Sequence, residues 1–527
     1  MTVRQRAPVI VAAAVALLAV VLLVRACTGG GESTPPRAEA AKLVPVETLV
    51  FASVSTDTDR DAVEEARDLA RRFGAYESTR DALLQRLAGD DKPVDAEKDV
   101  TPWLGDEAAV ALMDTGTATA GSIVAIEVTD EEQAREFLDR NPRQAVRKDY
   151  KGHETIRYGQ VTTAFVNGFL VIGQDPPVQR AIDRKGGDVR GLDQDPTFRR
   201  AMEDLPEERV VTAYASAAGL RRLLAPQGDL LGGVSAMLDQ PALQGVALAA
   251  APTGDDEVKL TAHSALDPAI QKRSPSPFEQ FEPDLVDEVP ADALGYLGTS
   301  GVDGALERLV LSSIGGSGSE VTRLLARLRS ELDEETGGSL QDDLLKLFEG
   351  EVALVIQSQT PAPVLSLMTR TEDEAATRRT LDQLRDPLAR LLRPEGEQEP
   401  QWDPVDLEGA DAWTLKLPNG AAITYAVTDG RLILSTTPEG VRRIVDAEDT
   451  LDGNDRFEDV LGDRPERVGT LGFLDFSQLL ELGEQTGLND SRAYLRVRDD
   501  LRKITAIGVS SSSGEGESTA EILVSIP

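Results

Sequence analysis

The chain has 527 residues, 41% of them hydrophobic and 28% charged, the balance of a folded protein with room for two or three domains. Its 91 acidic residues against 55 basic ones give a formal net charge of −36, a field that repels phosphate backbones and argues against nucleic acid as a partner. One cysteine, Cys27, rules out an internal disulfide and any cysteine-based metal site, and two distant histidines, His153 and His263, leave little basis for histidine-rich zinc chemistry.

The N-terminus reads as a membrane anchor. Arg4 and Arg6 precede an uncharged apolar run from Ala7 to Val24, which Arg25 closes. As a helix at about 1.5 Å per residue this run spans roughly 27 Å, enough for a thin hydrocarbon core. The basic flank favours a cytoplasmic N-terminus, with the rest of the chain outside the cytoplasm. Val24-Arg25-Ala26-Cys27 also resembles a lipoprotein signal, although Arg25 departs from that pattern. Residues 1–27 are therefore a signal-anchor helix or, in the alternative, a signal that ends in lipidation of Cys27. Residues 28–42, rich in Gly, Pro and Ser, form a flexible spacer.

From residue 43 the chain repeats itself. Val44-Pro45 opens "VPVETLVF" and Val289-Pro290 opens "VPADALGY", and later blocks follow in the same order. "GDEAAVAL" (105–112) parallels "GEVALVI" (350–356). The strand, Thr cap and acid-led helix of 122–138 parallel those of 364–381, with carboxylates where the helix dipole favours them. Asn167-Gly168 and Asp429-Gly430 each separate two apolar runs and predict two-residue hairpin turns, flanked by Phe165 and Leu170 in one case and by Ala426 and Leu432 in the other. A proline-led helix follows each hairpin. The hairpins of 244–266 and 506–526 close the two halves.

The expectation is an α+β protein of two tandem divergent repeats, 43–266 and 286–527, joined by a Pro-bearing linker, 267–285. Each repeat is expected to be a largely antiparallel sheet with helices covering one face. On one helical face fall Val63, Ala66, Ala70 and Phe73, and on another Phe198, Met202 and Leu205. The apolar N-terminus, the two V-P-x-[DE]-x-L-x-[FY] phrases and "VTDGRLIL…PEGVRR" (427–443) together resemble the bacterial domain-of-unknown-function family 3352. That resemblance implies a membrane-anchored protein of the actinobacterial cell envelope. It implies no activity and no catalytic residues.

Chemistry-bearing motifs are sparse. "GGSGSEVTRLL" (315–325) lacks the lysine of a phosphate-binding loop, and "GTSG" (298–301) lacks the spacing of a serine nucleophile. Asp57, Asp59 and Asp61 alternate as in a calcium loop, yet Ala62 stands where such a loop needs glycine, so they read as caps of the next helix. His153 reads as part of a polar turn, and His263 as exposed or structurally bonded. Glu107 and Glu351 occupy matching places at the start of strands and read as solvated. No catalytic, cofactor-binding or metal residue is assigned and no cofactor is expected. The partners expected are the cytoplasmic membrane and an envelope protein or apolar ligand, with no nucleic acid. The leading reading is a non-enzymatic binding or scaffolding protein of the envelope. The alternatives are a carrier of a lipid or other apolar ligand, and a glycan-processing enzyme that works with carboxylates.

Overall fold

The computed structural model describes residues 35–36, 38–74, 76, 96–114, 121–139, 145–185, 189–224, 241–273, 279–301, 346–360, 362–393, 399–407, 410–417 and 420–527. Residues 1–27, most of 28–42 and the glycine-rich stretch 315–325 lie outside these residues, but the end of the expected flexible spacer is not flexible: Glu39–Lys42 is a 3-10 helix with Ala40 and Ala41 buried, because these apolar residues pack into the first unit's core. Among the described residues no helix is long and apolar enough to cross a membrane. The chain divides into two compact units. One holds residues up to Ser274 with Gly514–Glu521 and Ile526–Pro527, and the other holds Pro275–Ser513 with Ile522–Ser525.

In the first unit, short runs rich in Val, Ala, Ile and Thr pair as strands: β1 (Thr48–Ser55), β2 (Leu104–Met113), β3 (Gly121–Val128), β4 (Ala145–Tyr150), β5 (His153–Tyr158), β6 (Val161–Val166), β7 (Phe169–Gly173), β8 (Val211–Ser216), β9 (Leu243–Pro252) and β10 (Glu257–Leu266). All their pairings are antiparallel, and the strands run side by side as β4-β5-β6-β7-β3-β2-β1-β8-β9-β10. Alternation along β1 sends Phe51 to one face and Ala52 and Val54 to the other. On the Phe51 face lie Val178, Ala181 and Ile182 of the helix Asp175–Lys185, with Phe198 and Ala201 of the helix Pro196–Glu203. The opposite face packs against Trp103 and against Ala134 and Phe137 of the helix Glu131–Asp139. Helices thus cover both faces, not one as expected. The physical reason is that this sheet carries apolar side chains on both sides, so each side needs a cover.

In the second unit the strands are β11 (Gly295–Ser300), β12 (Glu351–Gln357), β13 (Val364–Arg370), β14 (Trp402–Leu407), β15 (Ala410–Lys416), β16 (Ala422–Thr428), β17 (Arg431–Ser435), β18 (Thr470–Asp475) and β19 (Ala506–Gly514). They run side by side as β14-β15-β16-β17-β13-β12-β11-β18-β19, again antiparallel throughout. The last strand, β20, is Glu517–Ser525. Tyr296, Val355, Met368, Ile433 and Phe457 lie in the main core of this unit, and Tyr425, Val427 and Leu432 form a second cluster with Leu381 of the helix Glu374–Leu391. The fold is mixed α/β, with large antiparallel pairing and several helices.

Local chemistry corrects three expectations and adds a short helix. The helices after β3 and β13 are capped by aspartates, not threonines: Asp130 accepts the Gln133 N–H at 3.0 Å and Asp373 the Ala376 N–H at 2.9 Å. An aspartate one or two residues on reaches the free amide groups of the first turn better than the preceding threonine. The helix Asp61–Arg72 begins after Arg60 with no side-chain cap; Asp57 instead accepts the Asp59 N–H, and Arg60 donates to the Glu207 and Arg209 carbonyls. Within 267–285, Pro268–Arg273 is helical and Asp267 accepts the Ala269 N–H at 2.9 Å, so a proline suited to the first turn starts a helix within that interval. Finally, Leu170 faces Phe165, whereas Leu432 faces Val427 and not Ala426, whose partner is Ile433. A two-residue turn fixes that register.

Both turns have the geometry their sequences foretell. Asn167 and Gly168 sit at φ 52° and 81°, and Asp429 and Gly430 at 50° and 71°. A Cβ on Gly430 would meet nothing nearer than the Thr371 carbonyl oxygen at 3.7 Å, so only the backbone conformation opposes substitution. Gly430→Ala is therefore expected to lower stability by about 1–2 kcal/mol in urea unfolding, the cost of a left-handed non-glycine residue. An unchanged midpoint would show that the turn tolerates a side chain.

Candidate functional site

The two glutamates read as solvated from sequence are in fact buried. Glu107 on β2 faces Ser55 of β1 and is 2% exposed, and Glu351 on β12 faces Ser300 of β11 and is 8% exposed. Each carboxylate caps a short 3-10 helix that lies far away in sequence. Glu107 Oε2 accepts the Ala40 N–H at 3.1 Å, in Glu39–Lys42. Glu351 Oε2 accepts the Asp284 and Leu285 N–H groups at 3.0 Å each, at the start of Leu285–Glu288. Neither 3-10 helix has a side-chain cap from its own N-cap residue, so the buried carboxylate supplies the acceptor. A solvated position would have wasted it.

The second oxygens differ. Glu351 Oε1 accepts the Tyr296 hydroxyl at 3.0 Å. Glu107 Oε1 is buried without a hydrogen-bond partner. The cause is one atom of sequence chemistry. Tyr296 stands four places before Ser300 on β11, and the residue four places before Ser55 on β1 is Phe51, which packs edge-on against Phe198 at 6.1 Å. Burial pushes the Glu107 carboxyl up to about 8, against the opposing pull of the Ala40 and Glu39 N–H groups and aided by the charges of Glu127 and Glu39. Burial also raises the Glu351 carboxyl, while Leu285, Tyr296 and Asp284 donate to it and hold it back. Burial, and then the Glu351 charge, raises the Tyr296 hydroxyl. These carboxyls are closed off from solvent and already engaged with backbone, so what they do is hold local structure.

A different set of ligand-type residues converges in the first unit. His263 on β10 is 2% exposed, not on the surface, and its Nδ1 lies 3.1 Å from the Ala201 carbonyl oxygen. A carbonyl only accepts, so Nδ1 carries the proton. Nε2 has no hydrogen-bond partner and lies 3.8 Å from Asp204 Oδ2 and 3.8 Å from Glu517 Oε2. Asp204 is the C-cap of the helix Pro196–Glu203, and Glu517 opens β20. The three ligand atoms lie within 4.8 Å of one another. Sequence reasoning missed this cluster because its members are scattered along the chain. His153, by contrast, opens β5 beyond the Lys151-Gly152 turn, with Nδ1 3.1 Å from the Phe165 carbonyl oxygen.

An open polar depression in the second unit is lined by Asn454, Asp455, Arg456, Asp475, Ser477, Gln478 and Glu481. Several of its groups bond to one another. Arg456 Nη1 donates to Asp475 Oδ2 at 2.6 Å and to Ser477 Oγ at 2.8 Å, and Asp475 caps the helix Phe476–Gln485 through the Gln478 N–H.

Two outcomes follow from the paired glutamates. Because the Glu107 carboxyl titrates higher in the folded chain than in the unfolded one, its contribution is full below about pH 4.5 and is lost as pH rises through about 8. Over that window stability should fall with rising pH by at most about 1.4 kcal/mol per unit from this group. Glu107→Gln keeps an acceptor for Ala40 and should flatten the difference when urea unfolding is compared with the native chain from pH 5 to 9; parallel pH profiles would refute the assignment. Tyr296→Phe gives Glu351 the same unpartnered oxygen and should cost about 1–3 kcal/mol. A variant as stable as the native chain would mean the hydroxyl contributes nothing.

No curated protein matches the chain. Among solved structures, crystal form I of TP0453 aligns with a TM-score of 0.27 at 11% identity, over 43% of this chain and 78% of that one. Crystal form IV aligns at 0.27 and 8% identity over 45% and 86%, and form III at 0.27 and 9% over 46% and 88%. The family described as "Protein of unknown function (DUF3352)" matches residues 7–526, and the chain belongs to that family.

Proposed function

We propose that this is a membrane-tethered, extracytoplasmic protein of the cell envelope that binds or scaffolds rather than catalyses. One observation carries the reading: an uncharged apolar run, Ala7–Val24, follows Arg4 and Arg6 and is separated from the folded body by a Gly/Pro-rich spacer. The state of the buried carboxylates supports the non-catalytic part. An acid–base pair needs groups that reach a substrate, and Glu107 and Glu351 are spent on backbone N–H groups inside their own units.

The same proposal takes 43–266 and 286–527 as divergent copies of one module, with 267–285 as their junction. Support comes from the matching side-by-side order of nine strands in each unit, β4-β5-β6-β7-β3-β2-β1-β8-β9 and β14-β15-β16-β17-β13-β12-β11-β18-β19. Further support lies in the two opening phrases. Pro45 bridges to Gly191 and Leu192 N–H donates to the Val44 carbonyl at 3.0 Å; Pro290 bridges to Thr450 and Leu451 N–H donates to the Val289 carbonyl at 2.8 Å. In both places the Val-Pro step fastens the chain to a 3-10 turn just ahead of a helix.

The topology is tested by fusing reporters after Pro527. A reporter active only outside the cytoplasm should give signal, and signal from a cytoplasm-only reporter instead would overturn the proposal. Cys27→Ser separates the two anchors. With an uncleaved helix the variant stays in the membrane fraction at unchanged size, whereas its release, or a longer precursor, assigns the anchor to lipidated Cys27.

A further inference from the structure

We propose that Asp204, His263 and Glu517 form a binding site for a divalent transition-metal ion of the zinc class. Two exposed carboxylates alone would carry no such meaning. The second observation is the imidazole between them: His263 is 2% exposed, and its Nε2 is aimed at both carboxylates with no hydrogen-bond partner. Leaving a buried polar atom unmatched is costly, and a metal is the partner that an unprotonated ring nitrogen accepts. The Ala201 carbonyl fixes the proton on Nδ1, which turns the Nε2 lone pair toward the carboxylates. A backbone carbonyl behind a ligating imidazole is the usual way such a ring is oriented.

Distance and charge agree. The three ligand atoms fall within 4.8 Å of one another, a spread that a cation bound to each at about 2.0–2.4 Å can bridge. Nε2 stands 3.8 Å from each carboxylate oxygen, too far for a hydrogen bond and suited to an intervening ion. Two carboxylates neutralise a divalent charge. Asp204 and Glu517 have side chains 63% and 53% exposed, so an ion can enter, and water can complete the coordination. The donor set selects the class of metal. Imidazole disfavours calcium and magnesium, and the absence of sulfur from the cluster disfavours cuprous copper, which leaves Zn²⁺ and its neighbours, with Mn²⁺ weaker.

The consequence is a cross-link between distant parts of the chain. Glu517 lies in the same compact unit as Asp204 and His263. In that unit the Leu266 N–H donates to the Gly516 carbonyl at 2.7 Å, and Lys259 Nζ lies 2.8 Å from Glu521 Oε1. A bound ion would add a bond of much greater strength to this backbone pairing and couple the stability of the unit to metal supply.

The test uses the full chain, stripped by chelator and titrated with Zn²⁺. Calorimetry should show a single saturable equivalent, the thermal midpoint should rise, and the His263 ring nitrogen resonance should shift while that of His153 does not. Asp204→Asn and Glu517→Gln alter exposed side chains and leave the buried His263 contact with Ala201 intact. Each should weaken Zn²⁺ binding by at least ~10-fold and abolish the His263 shift. No saturable binding, or binding of equal affinity in both variants, would overturn the site. So would a His263 resonance that ignores Zn²⁺, because that leaves only a histidine near two carboxylates.

Discussion

Everything else in each unit is placed by a strand that has no free edge. β1 hydrogen-bonds to β2 on one side and β8 on the other, and β11 does the same with β12 and β18. Along β1 both faces are covered as well, so that strand must be apolar in both directions of its pleat. β1 meets that demand with Phe51 toward one cluster and Ala52 and Val54 toward the other. A fully buried large side chain contributes about 1.5–3 kcal/mol, so β1 anchors the helices on both faces of its unit. The small residues beside them have the same origin. At Gly219 a Cβ would stand 2.0 Å from the Leu49 carbonyl oxygen, which lets the helix Ala217–Leu224 approach β1 as closely as it does.

Carboxylates in such an interior have to be matched, and the two units match them unequally. Glu351 has three donors, two backbone N–H groups and the Tyr296 hydroxyl. Glu107 has backbone N–H groups and an unpartnered oxygen, and burial raises its proton affinity. Burial raises both carboxyls, and the Tyr296 hydroxyl is one of the donors that hold Glu351 back, a donor that Phe51 does not offer Glu107. A perturbed carboxyl is often a sign of catalysis. Here its surroundings are a helix end and a closed core, which makes it a fastening for the segment that leads into the central strand.

The proposed ion site obeys the opposite logic. Its carboxylates are in water, and its imidazole is buried and held from behind by Ala201.

What the sequence determined by itself was local or periodic. Asn167-Gly168 and Asp429-Gly430 demand positive φ, and both turns have it. Apolar runs bounded by turn residues were legible as strands. The family resemblance was legible too, in the Val-Pro phrases and in "VTDGRLIL". Tertiary structure decided whatever depends on where a side chain ends up. Glu107 and Glu351 look like any acid at the start of a strand, and only the path of 38–42 and 284–288 over them makes them buried caps. Coverage of both faces was hidden because loosely alternating strands do not say which side lacks a helix. Asp204, His263 and Glu517 share no spacing and no motif. A helix end, a strand and the chain's closing segment bring them within 4.8 Å, because backbone pairing fixes position in space with no regard to distance along the chain.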